Sequence, residues 1–316
     1  MCVGPTSGEP FGGSMNKILL AIMVIILASC GKAKDTPSAQ PSKYKQELQQ
    51  RKEQIMQWVR LRDGLPVFDE PHMPEGHNGN VNLFGGLLCL SGEKQFCHVL
   101  QYPNGLLKRN TWSAYTSDES SRDEWIGALA TWSASPDSAA MNKFIDAIQR
   151  NDSSLCSSGK TPGCRADAFY FGPWGTTFDV FNHDPVASVT ANMRNAKALQ
   201  ADSSYILSQS KTEALGFRIH LQAVQILIRQ KLNRNNSTLA KAAQTLNQRQ
   251  PQNPFYAYLV NGATDQVAEL ALKYIPTEQP KSRRSWYLQS DSAENQHLQS
   301  AGWPDIFMIN LLLGSQ

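Results

Sequence analysis

Three tryptophans stand close to charged side chains in a way that suits sugar chemistry. Trp174 precedes Asp179 and His183, Trp286 follows Arg283-Arg284, and Trp303 lies in Gly302-Trp303-Pro304-Asp305. An indole can cover the C–H face of a sugar while neighbouring charged groups take its hydroxyls. Arg122 and Asp123, in Ser121-Arg122-Asp123-Glu124, add a cation and an acid, and Asp63 adds a further carboxylate in Leu61-Arg62-Asp63-Gly64-Leu65. Each has a plainer reading. Asp63-Gly64 also reads as a helix stop and turn, and Asp123 is favoured in a first helical turn by the macrodipole. Asp184 reads as an N-cap, and Trp303 as packing at a helix start.

Other chemistries find less support. His72, His77 and His98 lie among Asp69, Glu70 and Glu75, but without a helical His pair or another recognised ligand spacing, so they read as solvated loop histidines. No metal or cofactor is expected. GxSxG, P-loop, GxGxxG and HExxH patterns do not occur, which leaves serine hydrolase, nucleotide-binding and zincin readings without a motif. The 316 residues are 41% hydrophobic and 18% charged with a formal net charge of +3, which suits a folded body with a core and excludes a disordered or fibrous chain. That near-balance also argues against a phosphate-tracking surface, so nucleic acid is not an expected partner.

The N-terminal region is unlike the rest. From Met15 the chain runs through Asn16-Lys17 into an apolar stretch, Ile18 to Leu27, and then Ala28-Ser29-Cys30-Gly31. This is the charged, apolar and small-residue order of a secretory signal, too short for a stable membrane span. Leu27-Ala28-Ser29-Cys30 resembles the lipobox of bacterial lipoproteins. The resemblance implies cleavage before Cys30, acylation of that cysteine and lasting attachment to a membrane through several alkyl chains. It also implies, with Gly31 rather than Asp after the lipidated residue, an outer-membrane address facing the periplasm. Residues 1–14 then read as an upstream mis-start, 15–29 as the signal peptide and 30–43 as the lipidated cysteine with a flexible tether. A globular domain is expected over 44–316.

Of the 6 cysteines, Cys2 precedes Met15 and Cys30 carries lipid in this reading, leaving four. They form two pairs eight positions apart, Cys89 with Cys97 and Cys156 with Cys164. Two local disulfides are the economical pairing in an exported domain. A four-thiolate zinc site is the competing arrangement, although its ligand pairs usually sit two to four residues apart.

The elements that must position these groups are helical. Tyr44, Leu48, Ile55 and Val59 share one helix face, with a stop expected near Asp63-Gly64. Ser121 and Glu124 fit a capping box before Trp125, Leu129 and Trp132, and Ser135-Pro136 opens a second helix through Met141, Phe144 and Ile148, the two forming a hairpin. Asp184-Pro185 gives another start. Thr212 to Leu232 is apolar on two sides and should be buried round most of its circumference. Ser237 to Asn247, Thr264 to Tyr274 and a last helix from Pro304 complete the set, with strands only minor. The fold class is therefore all-α: a single domain of packed helix hairpins with two local disulfides and long loops at about 63–82, 92–120, 151–183 and 276–303. Connections of that length in a compact domain are usually functional or disordered. Their aromatics and cysteines favour ordered, functional loops.

This combination resembles the (α/α)-toroid architecture of six-hairpin glycosidases and polysaccharide lyases. The resemblance is architectural, and the expected helices fall short of the twelve of a full toroid. It implies a pair of carboxylates for acid and base work on the loop face, with Asp63, Asp123, Asp179 and Asp305 as candidate catalytic acids. Arg122, Trp174, His183, Trp286 and Trp303 are the matching substrate-binding candidates. Two functions follow. One is a lipid-anchored domain that binds, with or without hydrolysis, an envelope or imported glycan. The other is a non-catalytic envelope factor in assembly, lysis or exclusion that binds a protein partner.

Overall fold

A computed structural model describes residues 44–67, 81–112, 122–150, 203–213, 215–233, 235–278 and 302–314. The readings at Cys30, Cys156, Cys164, Trp174, Asp179, His183, Asp184 and Trp286 lie outside these residues. The described part is all-α, with one short hairpin as its sheet.

Helix α1, Lys45–Met56, buries Leu48 and Ile55, seven residues apart and hence on one face. It ends well before Asp63. Val59 packs half-buried just beyond it, its N–H donating to the Ile55 carbonyl at 3.1 Å. Strands β1, Arg60–Arg62, and β2, Leu65–Val67, then pair antiparallel with Arg62 opposite Leu65. Asp63 and Gly64 are the two-residue turn between them, at φ 53° and 77°. Positive φ at both central residues matches the right-handed twist of a hairpin, and Asp-Gly supplies it at least cost. The helix stop expected here is corrected to a hairpin tip.

Helix α2, Val81–Leu90, is the apolar stretch before the first cysteine, and all ten residues are buried. Helix α3, Arg122–Ala134, crosses it at Gly86 and Gly127. A Cβ on Gly86 would lie under 3.0 Å from the Gly127 carbonyl, and one on Gly127 equally close to the Asn82 carbonyl. Only glycine lets the two backbones approach this far. Between them, residues 91–112 are tied down rather than loose. Buried Asn82 donates to the Leu100 and Lys108 carbonyls at 3.1 and 2.9 Å and accepts from the Leu100 N–H at 2.8 Å.

Helix α4, Ser138–Arg150, follows α3 and is capped by Asp137, whose carboxylate accepts from the Ala140 N–H at 2.9 Å. Phe144 packs against Trp125 and Trp132 with ring centroids 4.9 and 6.0 Å away. Helix α5 spans 203–212, and α6 spans Phe217–Lys231, so the single helix expected over 212–232 is broken near Gly216. Every residue from Ile219 to Arg229 is buried, as the two-sided apolar pattern required. Helix α7, Ser237–Arg249, is capped by Asn236. Helix α8, Pro254–Asn261, is capped by Asn253 with Pro in its first turn. Thr264 caps α9, Asp265–Tyr274.

Helix α10, Trp303–Leu313, is buried from Trp303 to Leu312 and packs on α1, α2 and α9. Phe255 of α8 links α6 and α10, with its centroid 5.4 Å from His220 of α6 and 5.3 Å from Phe307 of α10. One continuous core runs through all of them.

Candidate functional site

Three segments far apart in sequence meet at a polar corner. Helix α1 brings Lys45, Gln49 and Lys52, the turn after α2 brings Ser91, Gly92 and Glu93, and the end of α10 brings Asn310, Leu313 and Gly314. Together they line a cavity of about 260 Å³. Its position follows from the helix ends. Leu48 and Ile55 hold α1 to the core, which turns Lys45, Gln49 and Lys52 to the open side, since residues three and four apart share a face.

Glu93 is the hub. Lys52 Nζ lies 2.5 Å from its Oε1, Asn310 Nδ2 donates to the same oxygen at 3.1 Å, and Gln95 Nε2 donates to Oε2 at 2.8 Å. Asn310 Nδ2 also donates to Ser91 Oγ at 3.4 Å. Burial by itself raises the Glu93 pKa, but the hydrogen bonds from Lys52, Gln95 and Asn310, with the Lys52 charge, outweigh it and leave the carboxyl below its usual range. Glu93 is therefore ionised at neutral pH. It can accept hydrogen bonds but is the opposite of a general acid, which needs a raised pKa.

The Cys89–Cys97 disulfide expected from the sequence closes the loop that carries Ser91, Gly92 and Glu93. Cys89 lies within α2, so the bridge fastens this wall of the cavity to the core.

The candidate acids and aromatics occupy other places. Asp63 is exposed at the hairpin tip. Asp123 lies half-buried in the first turn of α3, where the backbone of Arg122 opens the helix. Asp305 is fully buried in the first turn of α10, close enough to Arg51 for its charge to oppose the lowering of the Arg51 pKa by burial. Arg51 in turn donates to the carbonyls of Leu272 and Ile275, joining α1 to the end of α9. Trp303 is 1% exposed, with its Nε1–H donating to the Val67 carbonyl at 2.8 Å. The sugar-stacking role read for Trp303 is thus corrected to core packing, because its faces are covered by protein. Of the four acids, the three described lie on three elements and none lines the cavity.

Sequence reasoning passed over Lys52, Glu93 and Asn310, none of which belongs to a motif. The capping box read at Ser121 and Glu124 has its first member outside the described residues; the Glu124 side chain is fully buried, with Oε2 4.0 Å from Arg109 Nε. Among the described residues, no three His, Cys, Asp or Glu side chains converge as metal ligands, and no helix is long and apolar enough to cross a membrane. No protein-family model, curated protein or solved structure matches the chain.

Proposed function

We propose that the chain is an outer-membrane lipoprotein, acylated at Cys30 and facing the periplasm, whose all-α domain binds a glycan in the cavity between α1, the 91–93 turn and α10. The observation that carries the binding half is the state of Glu93. An ionised carboxylate, fixed by Lys52, Gln95 and Asn310 in a cavity lined with amide, hydroxyl and ammonium groups, suits hydroxyls that both donate and accept. The side chain of Leu313 adds a small apolar surface for a sugar's C–H face. The anchoring half rests on Leu27-Ala28-Ser29-Cys30 and the polar tether after it.

Binding without cleavage is the reading these groups favour. Hydrolysis needs two carboxylates with unlike pKa values facing one bond, and the described wall of this cavity has one, already ionised. The test is a panel of envelope and plant polysaccharides and peptidoglycan fragments presented to the full chain, reading binding and reducing-end release together. Binding without release is expected. Release that disappears on Asp→Asn substitution at Asp63, Asp123, Asp179 or Asp305 would replace this reading with a glycosidase. For the anchor, labelled fatty acid should enter the wild-type chain and not Cys30→Ala.

The second reading, a protein partner, draws on Met56 and Leu61, which are 44% and 50% exposed around the hairpin. Crosslinks to one envelope protein through that hairpin, with no glycan bound, would favour it.

A further inference from the structure

The cavity's charge is unbalanced. Two lysines face one carboxylate in its lining, and Lys52 is already taken by Glu93. Lys45 is exposed at the rim and has no ion pair among the described residues. It is also the first residue of α1, at the positive end of that helix. Deeper in, Asn310 is 6% exposed and spends its amide N–H groups on Ser91 and Glu93, which leaves its carbonyl oxygen as the acceptor. The arrangement is a positive rim over a floor of acceptors.

We infer that the cavity selects a sugar bearing a carboxylate, with that carboxylate at Lys45 and the ring hydroxyls donating to Glu93 and Asn310. This rests on the reading of the cavity as a glycan site and adds the class of glycan. A neutral sugar fills the same floor but leaves Lys45 unused. The volume of about 260 Å³ admits one sugar unit rather than an extended chain, so the acidic unit is terminal or free.

The carboxylate can belong to a hexuronic acid or to the ether-linked side chain of N-acetylmuramic acid, and the test separates them. The full chain, held in a sugar-free detergent at low salt, is titrated by calorimetry with D-glucuronic acid, N-acetylmuramic acid and methyl glucoside. At least one acid should bind ten-fold or more tightly than methyl glucoside, and the tighter acid identifies the source. In Lys45→Gln that preference should fall to near parity, the acids losing ten-fold or more in affinity and methyl glucoside losing less; Lys45 is exposed, so the fold survives the substitution. Raising the salt to about 0.5 M should shrink the preference in the wild type, because exposed charges are screened. Equal binding of acidic and neutral sugars, lost together in Asn310→Ala, would overturn the inference and leave the glycan reading standing. No binding of any of the three would overturn both.

Discussion

The α2–α3 crossing and the corner between α1 and the end of α10 both draw on α2 and the turn after it, yet they are built on opposite rules. At the crossing, Gly86 and Gly127 bring two backbones into contact with no side chain between them. At the corner, the groups are long and polar, satisfy one another pairwise around Glu93, and leave a cavity. A crossing of that kind has no freedom to respond to a ligand, because rigid backbone atoms cannot step aside. The corner has that freedom, since exposed Lys45 and Gln49 can change rotamer without disturbing Leu48 or Ile55 behind them. Cys89 sits in the rigid half and Cys97 closes the adaptable loop, so the bridge carries the order of one into the other.

Substitutions that break this contrast should differ in size. The largest effect is expected from Gly127→Ala, whose methyl meets the Asn82 backbone rather than a movable side chain. It should cost about 3 kcal/mol, at the upper end of ordinary overpacking, read as a lower urea midpoint. Replacing Cys89 and Cys97 together by alanine removes a short cross-link worth about 2–3 kcal/mol on the chain-entropy model. Unlike Gly127→Ala, it should also weaken ligand binding at the corner.

His220 sharpens the picture of the dry interior. Burial pulls its pKa from 6.5 to about 3, so between those values the unfolded chain takes up a proton that the fold refuses. Stability is whole above pH 6.5 and falls as the pH drops toward 3. About 2 kcal/mol should be lost between roughly pH 8 and pH 5, and His220→Gln should flatten that slope in urea titrations at the two pH values. The smallest effect belongs to the corner itself. Both Lys52 and Glu93 side chains are 22% exposed, so Glu93→Gln should cost only about 0.5–1 kcal/mol. Its sign is that of a carboxylate with a depressed pKa. The contribution is complete above the ordinary value of 4.5 and is lost as the pH falls through the lower value in the fold.

The fold was legible where one face of a helix differs from the other. Leu48 and Ile55, the two-sided pattern of α6 and the amphipathic stretch from Thr264 to Tyr274 each carry their signal within one turn or two. It was illegible where a segment has no contrast. Val81–Leu90 is apolar all round, so its periodicity says nothing, and its helix follows only from being enclosed by α3, α10 and β2. Asp63-Gly64 is both a helix stop and a hairpin turn in local chemistry, and the pairing of Arg62 with Leu65 decides between them. Asn253-Pro254 carried a start signal for α8 that went unread because the apolar run behind it is short. The cavity was beyond reach for a different reason. Lys52 and Glu93 are 41 positions apart and Glu93 and Asn310 are 217 apart, and such a meeting is set by helix packing, not by spacing. The tryptophan signal misled at Trp303 because an indole over a helix start packs a core as readily as it holds a sugar.

The most direct test of the cavity as the ligand site compares Asn310→Ala with Asp63→Asn, each in the full chain, against whichever glycan the wild type binds most tightly. Asp63→Asn keeps a residue that tolerates positive φ at an exposed tip, so its fold and binding should match the wild type. Asn310→Ala should lose binding while keeping its helical signal. Unchanged affinity in Asn310→Ala, with affinity lost in Asp63→Asn, would place the site at the hairpin and contradict this account.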